Sequence, residues 1–269
     1  MNKLKIYGER NSGTNFLTRL IRHNFHCELI PGTLAEARPG YREIIEQELE
    51  TRISDAGKRI LARQIKLDDF FRGNLWSTMG WKHCVPPTEL IHSHPDRDRT
   101  LFVTINKNPY AWLLSLFRRP YENTTLDRIN DLSSFINEPW ITGSRENSPL
   151  YLESPVELWN LKTEGYQRLA NVAVTINVRY EDLLESPMQF LQKIEGYLER
   201  RTKKFELTME STKIDDVGHK DFDYYRDYYL NEHWRKELGH EHIMAINRFL
   251  DPAIVERSGY ETIPTSGTD

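Results

Sequence analysis

The chain has 269 residues, 38% of them hydrophobic and 28% charged, with a formal net charge of −4. That length suits one large α/β domain or two small ones and is ample for a buried core, while the charge excludes a global pull toward nucleic acid or an anionic membrane, so any anion site must be local. No run approaches ~18 consecutive apolar residues, so no segment is expected to span a bilayer, and Cys27 and Cys84 have neither CxxC nor metal-site spacing and are expected as reduced thiols.

Met1 to Tyr7 has no apolar leader core and no cleavage site, and runs straight into a first strand over Leu4–Tyr7. A cytoplasmic chain, without export signal or anchor, is the expectation. Gly8 to Thr14 reads as a turn, and Phe16, Leu17, Leu20 and Ile21 then recur at helical spacing as far as Phe25. Residues 31–75 are charged and interrupted and read as an insertion outside the sheet, with a helix over Tyr41–Arg52. Ser77 to Lys82 reads as a short second strand stopped by Pro86 and Pro87. Thr100–Asn106 is apolar and β-branched, the best strand of the chain, and Pro109 fits the first turn of a helix buried through Trp112, Leu113, Leu116 and Phe117. Residues 123–155 form a second interrupted stretch, with a helix near Leu132–Ile136. A helix over Val156–Leu169, a strand over Val172–Val178, a helix over Met188–Leu198, a long aromatic loop over Phe205–Tyr229 and a last helix over Glu241–Leu250 complete the reading.

Strands alternating with helices predict an α/β three-layer sandwich around a central parallel sheet, one domain over 1–264 with insertions near 31–75 and 123–155 and a disordered tail over 265–269. Ligands of such sheets bind beyond the carboxyl ends of the strands. Gly8–Thr14 and Lys107–Ser115 both lie there.

Gly8 and Gly13, with four residues between them and a strand before and a helix after, have the outline of a phosphate loop. Glycines let backbone N–H groups face an anion, the helix N-terminus adds its dipole, and Ser12 and Thr14 add hydroxyls. A nucleotide triphosphatase would continue Lys-Ser or Lys-Thr after the second glycine. Here Thr14-Asn15 follows, so the loop suits a less charged terminal group held without a metal; an ordinary strand–helix turn capped by Ser12 or Thr14 would use the same residues. In the second loop Lys107 ends a strand and Ser115 lies two helical turns further on, so a cation and a hydroxyl can converge on one phosphate.

These two loops resemble the sulfotransferase superfamily, which carries a 5′-phosphosulfate loop ending in Ser-Gly-Thr and a 3′-phosphate motif of a strand-end arginine, Asn-Pro or Asp-Pro, and a serine eight positions after the arginine. Ser12-Gly13-Thr14, and Lys107 with Asn108-Pro109 and Ser115, match that order; Arg179-Tyr180-Glu181-Asp182-Leu183 and Gly259-Tyr260-Glu261 are similar to later family segments. The resemblance implies a P-loop NTPase-like fold and 3′-phosphoadenosine-5′-phosphosulfate (PAPS) as co-substrate, with PAP as product and no metal. It implies Ser12, Gly13, Thr14 and Asn15 on the 5′-phosphosulfate, Lys107 and Ser115 on the 3′-phosphate, and Phe16 either on the adenine or in the core. Two departures stand out. Lys107 replaces the usual arginine, keeping the charge and losing the bidentate fork. Asn11 stands where many relatives have a cation, leaving Arg10 or Lys82 to meet the bridging oxygen.

Gly80-Trp81-Lys82-His83 supplies the catalytic candidates, since relatives have a lysine and a histidine in a similar place. Sulfuryl transfer resembles phosphoryl transfer, an in-line displacement through a loose transition state in which positioning and charge stabilisation dominate. A neutral histidine suits removal of the acceptor proton, and a cation suits the departing phosphate. His83 is therefore the candidate base, Glu9 its rival, and Lys82 or Arg10 the leaving-group cation; as structural residues, His83 would bond to backbone and Glu9 would pair with Arg10 or another nearby cation. Glu181 and Asp182 read as capping residues. The aromatics from Phe222 to Tyr229 and Trp234 would form either an adenine lid or a packed surface loop. His240, Glu241 and His242 are adjacent on one helix and do not share a face, which argues against a metal. A P-loop kinase or hydrolase, and a non-catalytic nucleotide-binding module, are the alternatives. The expected partner is a small-molecule or carbohydrate acceptor, not nucleic acid or a membrane.

Overall fold

The computed structural model describes residues 1–121, 129, 131–207 and 221–265. Four parallel strands, β1 (Lys3–Gly8), β2 (Glu28–Leu29), β3 (Thr100–Asn106) and β4 (Thr175–Arg179), form the central sheet in the order β2-β1-β3-β4. Lys3 lies opposite Thr100 and Gly8 opposite Ile105, while Phe102 lies opposite Thr175 and Asn106 opposite Arg179. The loops after β1 and β3 therefore leave the sheet side by side.

Side-chain alternation sets the layers. Leu4, Ile6, Leu101, Val103 and Ile105 enter one core, and Tyr7 and Phe102 enter another on the opposite face. The first core is closed by α1 (Thr14–Asn24), through Leu17, Leu20 and Ile21, and by α4 (Pro109–Arg118). The second is closed by Tyr166 and Leu169 of α5 (Pro155–Leu169) and by Met79, Cys84 and Ile91. Both β1 and β3 are buried on both faces, as a covered parallel sheet requires. Cys27 and Cys84 are both free thiols.

The 31–75 stretch lies outside the sheet. It folds mainly as two helices, α2 (Tyr41–Arg52) and α3 (Ala56–Gly73), around a small apolar cluster of Leu34, Ile45 and Leu49. In the second interrupted stretch a helix covers Leu132–Asn137, and Trp140–Ile141 pairs with Tyr151–Leu152 as a short antiparallel ladder. After β4, α6 (Tyr180–Glu185) leads into a helix over Pro187–Glu195. None of the described helices is long and apolar enough to cross a membrane.

Two expected elements are corrected. Ser77–Lys82 is not a strand: Leu75–Thr78 is a helical turn, and Met79 (φ 52°) and Gly80 (φ 87°) take left-handed backbone. The cause is the buried Lys5 on the neighbouring face of β1. Its Nζ donates to the carbonyls of Thr78 at 2.5 Å, Gly80 at 2.6 Å and Pro31 at 3.0 Å, and Tyr7 donates to the Met79 carbonyl, so carbonyls that a ladder would use are turned to side chains instead. The long loop over Phe205–Tyr229 contains a helix, α7 (Phe222–Leu230), started by Asp221, whose side chain accepts from the Tyr224 N–H at 2.9 Å. Residues 208–220 of that stretch, 122–128 and 130 of the earlier one, and 266–269 of the expected tail lie outside the described residues.

Candidate active site

The first loop owes its shape to two glycines. Gly13 has φ 91°, and a Cβ there would lie 2.5 Å from the Tyr180 ring. At Gly8 a Cβ would lie 2.5 Å from Ile105 and 2.7 Å from Thr14. Gly13 is the N-cap of α1 and supplies no side-chain cap, so the first N–H groups of the helix, with their share of the dipole, are left for a ligand. Ser12 is turned inward: its hydroxyl donates to the Glu9 carbonyl at 2.6 Å and holds the loop's curvature. Asn11 (φ 65°) accepts from the Tyr121 hydroxyl at 3.2 Å. Thr14, Asn15 and Phe16 line the cavity beyond the loop, and the Phe16 ring packs on Phe222 with centroids 5.8 Å apart.

In the second loop Asn108 caps α4, its side chain accepting from the N–H of Tyr110 at 3.1 Å and of Ala111 at 3.4 Å. Lys107 is buried between two aromatic rings, with Nζ 4.4 Å from the Tyr180 centroid and 4.1 Å from the Tyr229 centroid. Its Nζ donates to the Tyr229 hydroxyl at 3.0 Å, and the Ser115 hydroxyl lies 3.3 Å from the same oxygen. Lysine and serine thus converge on one oxygen. Burial pulls the Lys107 ammonium down to about 7, with Glu181 acting in the opposite sense. Glu181 buttresses the loop from behind: one oxygen accepts from the Asn108 N–H at 3.0 Å and the other from the Tyr260 hydroxyl at 2.7 Å. Two indoles pin the loops in place, Trp112 donating to the Arg10 carbonyl and Trp159 to the Lys107 carbonyl, both at 2.9 Å.

The segment Gly80–His83 reaches this edge without being a strand, because Lys82 pairs at both backbone groups: its carbonyl accepts from the Gly8 N–H and its N–H donates to the Gly32 carbonyl, each at 2.9 Å. The Lys82 ammonium donates to Asn15 Oδ1 at 2.8 Å, and burial lowers its proton affinity. His83 Nδ1 lies 2.5 Å from the Gly8 carbonyl. A carbonyl only accepts, so Nδ1 carries the proton and Nε2 is left as the basic nitrogen. Burial, followed by the charges of Lys82 and Arg10, holds His83 well below the usual imidazole range. It is neutral at physiological pH, as a general base must be.

Beneath the loops lies a buried charge network that sequence reasoning only touched. Glu9 accepts from the Arg10 N–H at 2.7 Å and from its guanidinium at 3.2 Å; Arg10 reaches Glu146 at 3.1 Å; Lys162 lies 2.8 Å from Glu146 and 3.2 Å from Glu9. Lys162 also donates to the His83 carbonyl. Its two carboxylate neighbours hold Lys162 protonated against the opposing cost of burial, and the two cations hold Glu146 ionised. Glu9 is thereby committed to Arg10 and Lys162 and does not line the cavity, whereas the Arg10 guanidinium does, stacked 4.6 Å from the Trp81 ring.

One cavity of about 520 Å³ joins these parts. Arg10, Asn11, Gly13, Thr14, Asn15 and Phe16 line it with Lys82, His83 and Lys107; Ser12 and Ser115 shape it from behind. Glu146, Lys162 and Arg145 are the contributors that the motifs did not single out. For Lys162 a signal was present: it sits between Leu158 and Tyr166 at helical spacing, a lysine where the buried stripe of α5 calls for an apolar residue. Among the described residues no group of three or more His, Cys, Asp or Glu is arranged to hold a metal ion.

No protein-family model and no curated protein matches the sequence. Two solved structures are similar over nearly the whole chain. One is the sulfotransferase domain from the curacin biosynthetic pathway, with 12% identity, 97% of this chain and 99% of that chain covered, and a TM-score of 0.48. The other is the sulfotransferase domain from the Synechococcus PCC 7002 olefin synthase, with 15% identity, 93% and 95% covered, and a TM-score of 0.44. Similarity at this level bears neither on the reaction nor on the residues that perform it.

Proposed function

We propose that this chain is a PAPS-dependent sulfotransferase, which passes the sulfuryl group of PAPS to a hydroxyl or amine of a small-molecule or carbohydrate acceptor by in-line displacement and releases PAP. The observation that carries this reading is one cavity lined by residues of both loops and by a neutral histidine whose Nε2 is left to take a proton. The first loop lacks the lysine of a triphosphatase but offers a bare helix N-terminus with Thr14 and Asn15, which suits a phosphosulfate. The second offers Lys107 and Ser115 around one oxygen position, which suits the three acceptor oxygens of a 3′-phosphate. Phe16 and Phe222 pack on each other and both line the cavity, and would offer the adenine an aromatic surface.

In this reading His83 Nε2 accepts the acceptor's proton as the new S–O or S–N bond forms. The S–O bond to the bridging oxygen breaks, and the negative charge gathered there is met by Lys82. Arg10 is the weaker choice for that role because Glu9 and Glu146 already balance it. The reading is tested by metal-free titration with PAP, ADP and ATP. PAP is expected to bind at least tenfold more tightly than ADP, which lacks the 3′-phosphate. Equal affinity, or ATP binding that requires Mg²⁺, would point instead to a kinase-type or hydrolase site.

A further inference from the structure

His83 lies in neither a helix nor a strand, so its placement rests on contacts from other segments. The short turn Ser144–Glu146 and the residue after it supply several of them. The Val85 N–H donates to the Glu146 carbonyl at 2.8 Å and Asn147 Nδ2 donates to the Val85 carbonyl at 2.9 Å, so the turn is fastened to the chain just past His83. The Glu146 carboxylate accepts from Lys162 at 2.8 Å, and Lys162 donates to the His83 carbonyl. Arg145, the neighbouring residue, reaches the side-chain end instead. Its guanidinium carbon lies 4.6 Å from the centroid of the Trp81 ring, and the Trp81 and His83 rings meet edge to face, with centroids 4.8 Å apart and planes 86° apart. One turn thus reaches His83 twice, at its backbone by way of Glu146 and at its ring by way of Arg145.

The indole itself is held by several neighbours. The Arg10 guanidinium carbon also lies 4.6 Å from its centroid, and the Phe71 ring of α3 packs 6.4 Å away. Both guanidiniums are anchored in turn. Arg10 pairs with Glu9 at 3.2 Å and Glu146 at 3.1 Å; Arg145 pairs with Asp68 at 2.6 Å and donates to the side chain and, at 3.2 Å, the carbonyl of Gln64. Asp68 also accepts from the Ser144 N–H at 3.1 Å, which ties the turn to α3. The Arg145 side chain is only 6% exposed, and a cation over an indole gains strength as water is excluded. The imidazole, by contrast, has one hydrogen bond, from Nδ1 to the Gly8 carbonyl. A single bond leaves a ring free to swing about the bond's axis, and an edge-to-face contact removes that freedom.

We propose that Trp81 is a positioning residue for the base: steadied by Arg145 and Arg10, its indole sets the plane of the His83 ring and so aims Nε2 at the acceptor's proton. The inference rests on the sulfotransferase reading and adds to it the parts that hold its base in line. Misplacing a reacting group by about 1 Å costs on the order of 10² in rate, so a contact that touches no substrate can still govern turnover.

The test compares Trp81→Leu, Trp81→Phe and Arg145→Lys with the wild type in the full chain, by two readings. The first is a histidine NMR titration without nucleotide, the His83 signal being assigned by its loss in His83→Asn. In Trp81→Leu the His83 midpoint is expected to rise toward the ordinary value of about 6.5, because water reaches the ring, while Trp81→Phe stays close to the wild type. The charges of Lys82, Arg10 and Lys162, which also hold His83 down, are unaltered in every variant. The second reading is single-turnover PAP release from PAPS, expected to fall about ten- to a hundredfold in Trp81→Leu with PAP affinity unchanged, and to recover most of that loss in Trp81→Phe. Arg145→Lys, which keeps the charge and loses the planar stack, is expected to show both changes in smaller measure, and decides the matter should Trp81→Leu not fold. An unmoved His83 midpoint, undiminished PAP release, or Trp81→Phe no better than Trp81→Leu would overturn the proposal. Failure of the wild type to bind PAP would instead sink the sulfotransferase reading; the histidine titration, which uses no nucleotide, then decides this one by itself.

Discussion

At the scale of single residues, two protonation states carry the account. His83 is held neutral with its proton on Nδ1, so replacement by asparagine, which keeps a donor for the Gly8 carbonyl, removes only the base. PAP release from PAPS is expected to fall by about 10²–10⁴ in His83→Asn, with PAP affinity unchanged; a variant with full turnover would transfer the role elsewhere. Lys107 titrates near 7 because it is buried. A bound phosphate should raise that value, so above pH 7 PAP binding is expected to take up a proton and to weaken as pH rises. Titration at pH 8 in buffers of different ionisation enthalpy reads this directly, and zero proton uptake would contradict it. Stability responds to His83 in the complementary direction. Its folded value lies below the unfolded value of about 6.5, so its contribution is complete above pH 6.5 and is lost as pH falls toward the folded value.

At the scale of elements, the site depends on parts joined from beneath. Trp112, Trp159 and Glu181 fix the two loops, and the Glu9–Arg10–Glu146–Lys162 network ties the first loop to α5 and to the turn that carries Arg145. Breaking a buried pair strands a charge, so Lys162→Met is expected to destabilise the fold by about 3–5 kcal/mol, visible as a lowered denaturation midpoint. A loss below about 1 kcal/mol would show that the network is not a structural unit. Loops and elements differed in how far they could be read ahead. Gly13, Lys107, Asn108 and Ser115 could be singled out from residue type and spacing alone, and the structure brings their two loops to one sheet edge. The turn at Met79–Gly80 could not be read ahead, since it follows from Lys5, more than seventy residues away, taking the Thr78 and Gly80 carbonyls. Local β-preference at Ser77–Lys82 lost to that contact.

At the scale of the whole molecule, alternating strand and helix patterns were enough to place a parallel sheet and the edge where both loops meet. The edge strand β2 was missed because two paired residues leave no periodicity to detect. Residues 31–75 read as an insertion and do leave the sheet, yet nothing in their sequence marked Arg42 and Arg63 as cavity residues; they line the cavity from α2 and α3, which pack together around Leu34, Ile45 and Leu49.

The most direct measurement of the central claim is metal-free isothermal titration of PAP into the wild type and Lys107→Ala. The account predicts binding by the wild type, weakened ten- to a hundredfold in the variant, in keeping with loss of about 1.5–3 kcal/mol from a hydrogen bond to a charged group. No binding by the wild type, or equal binding by both, would contradict it.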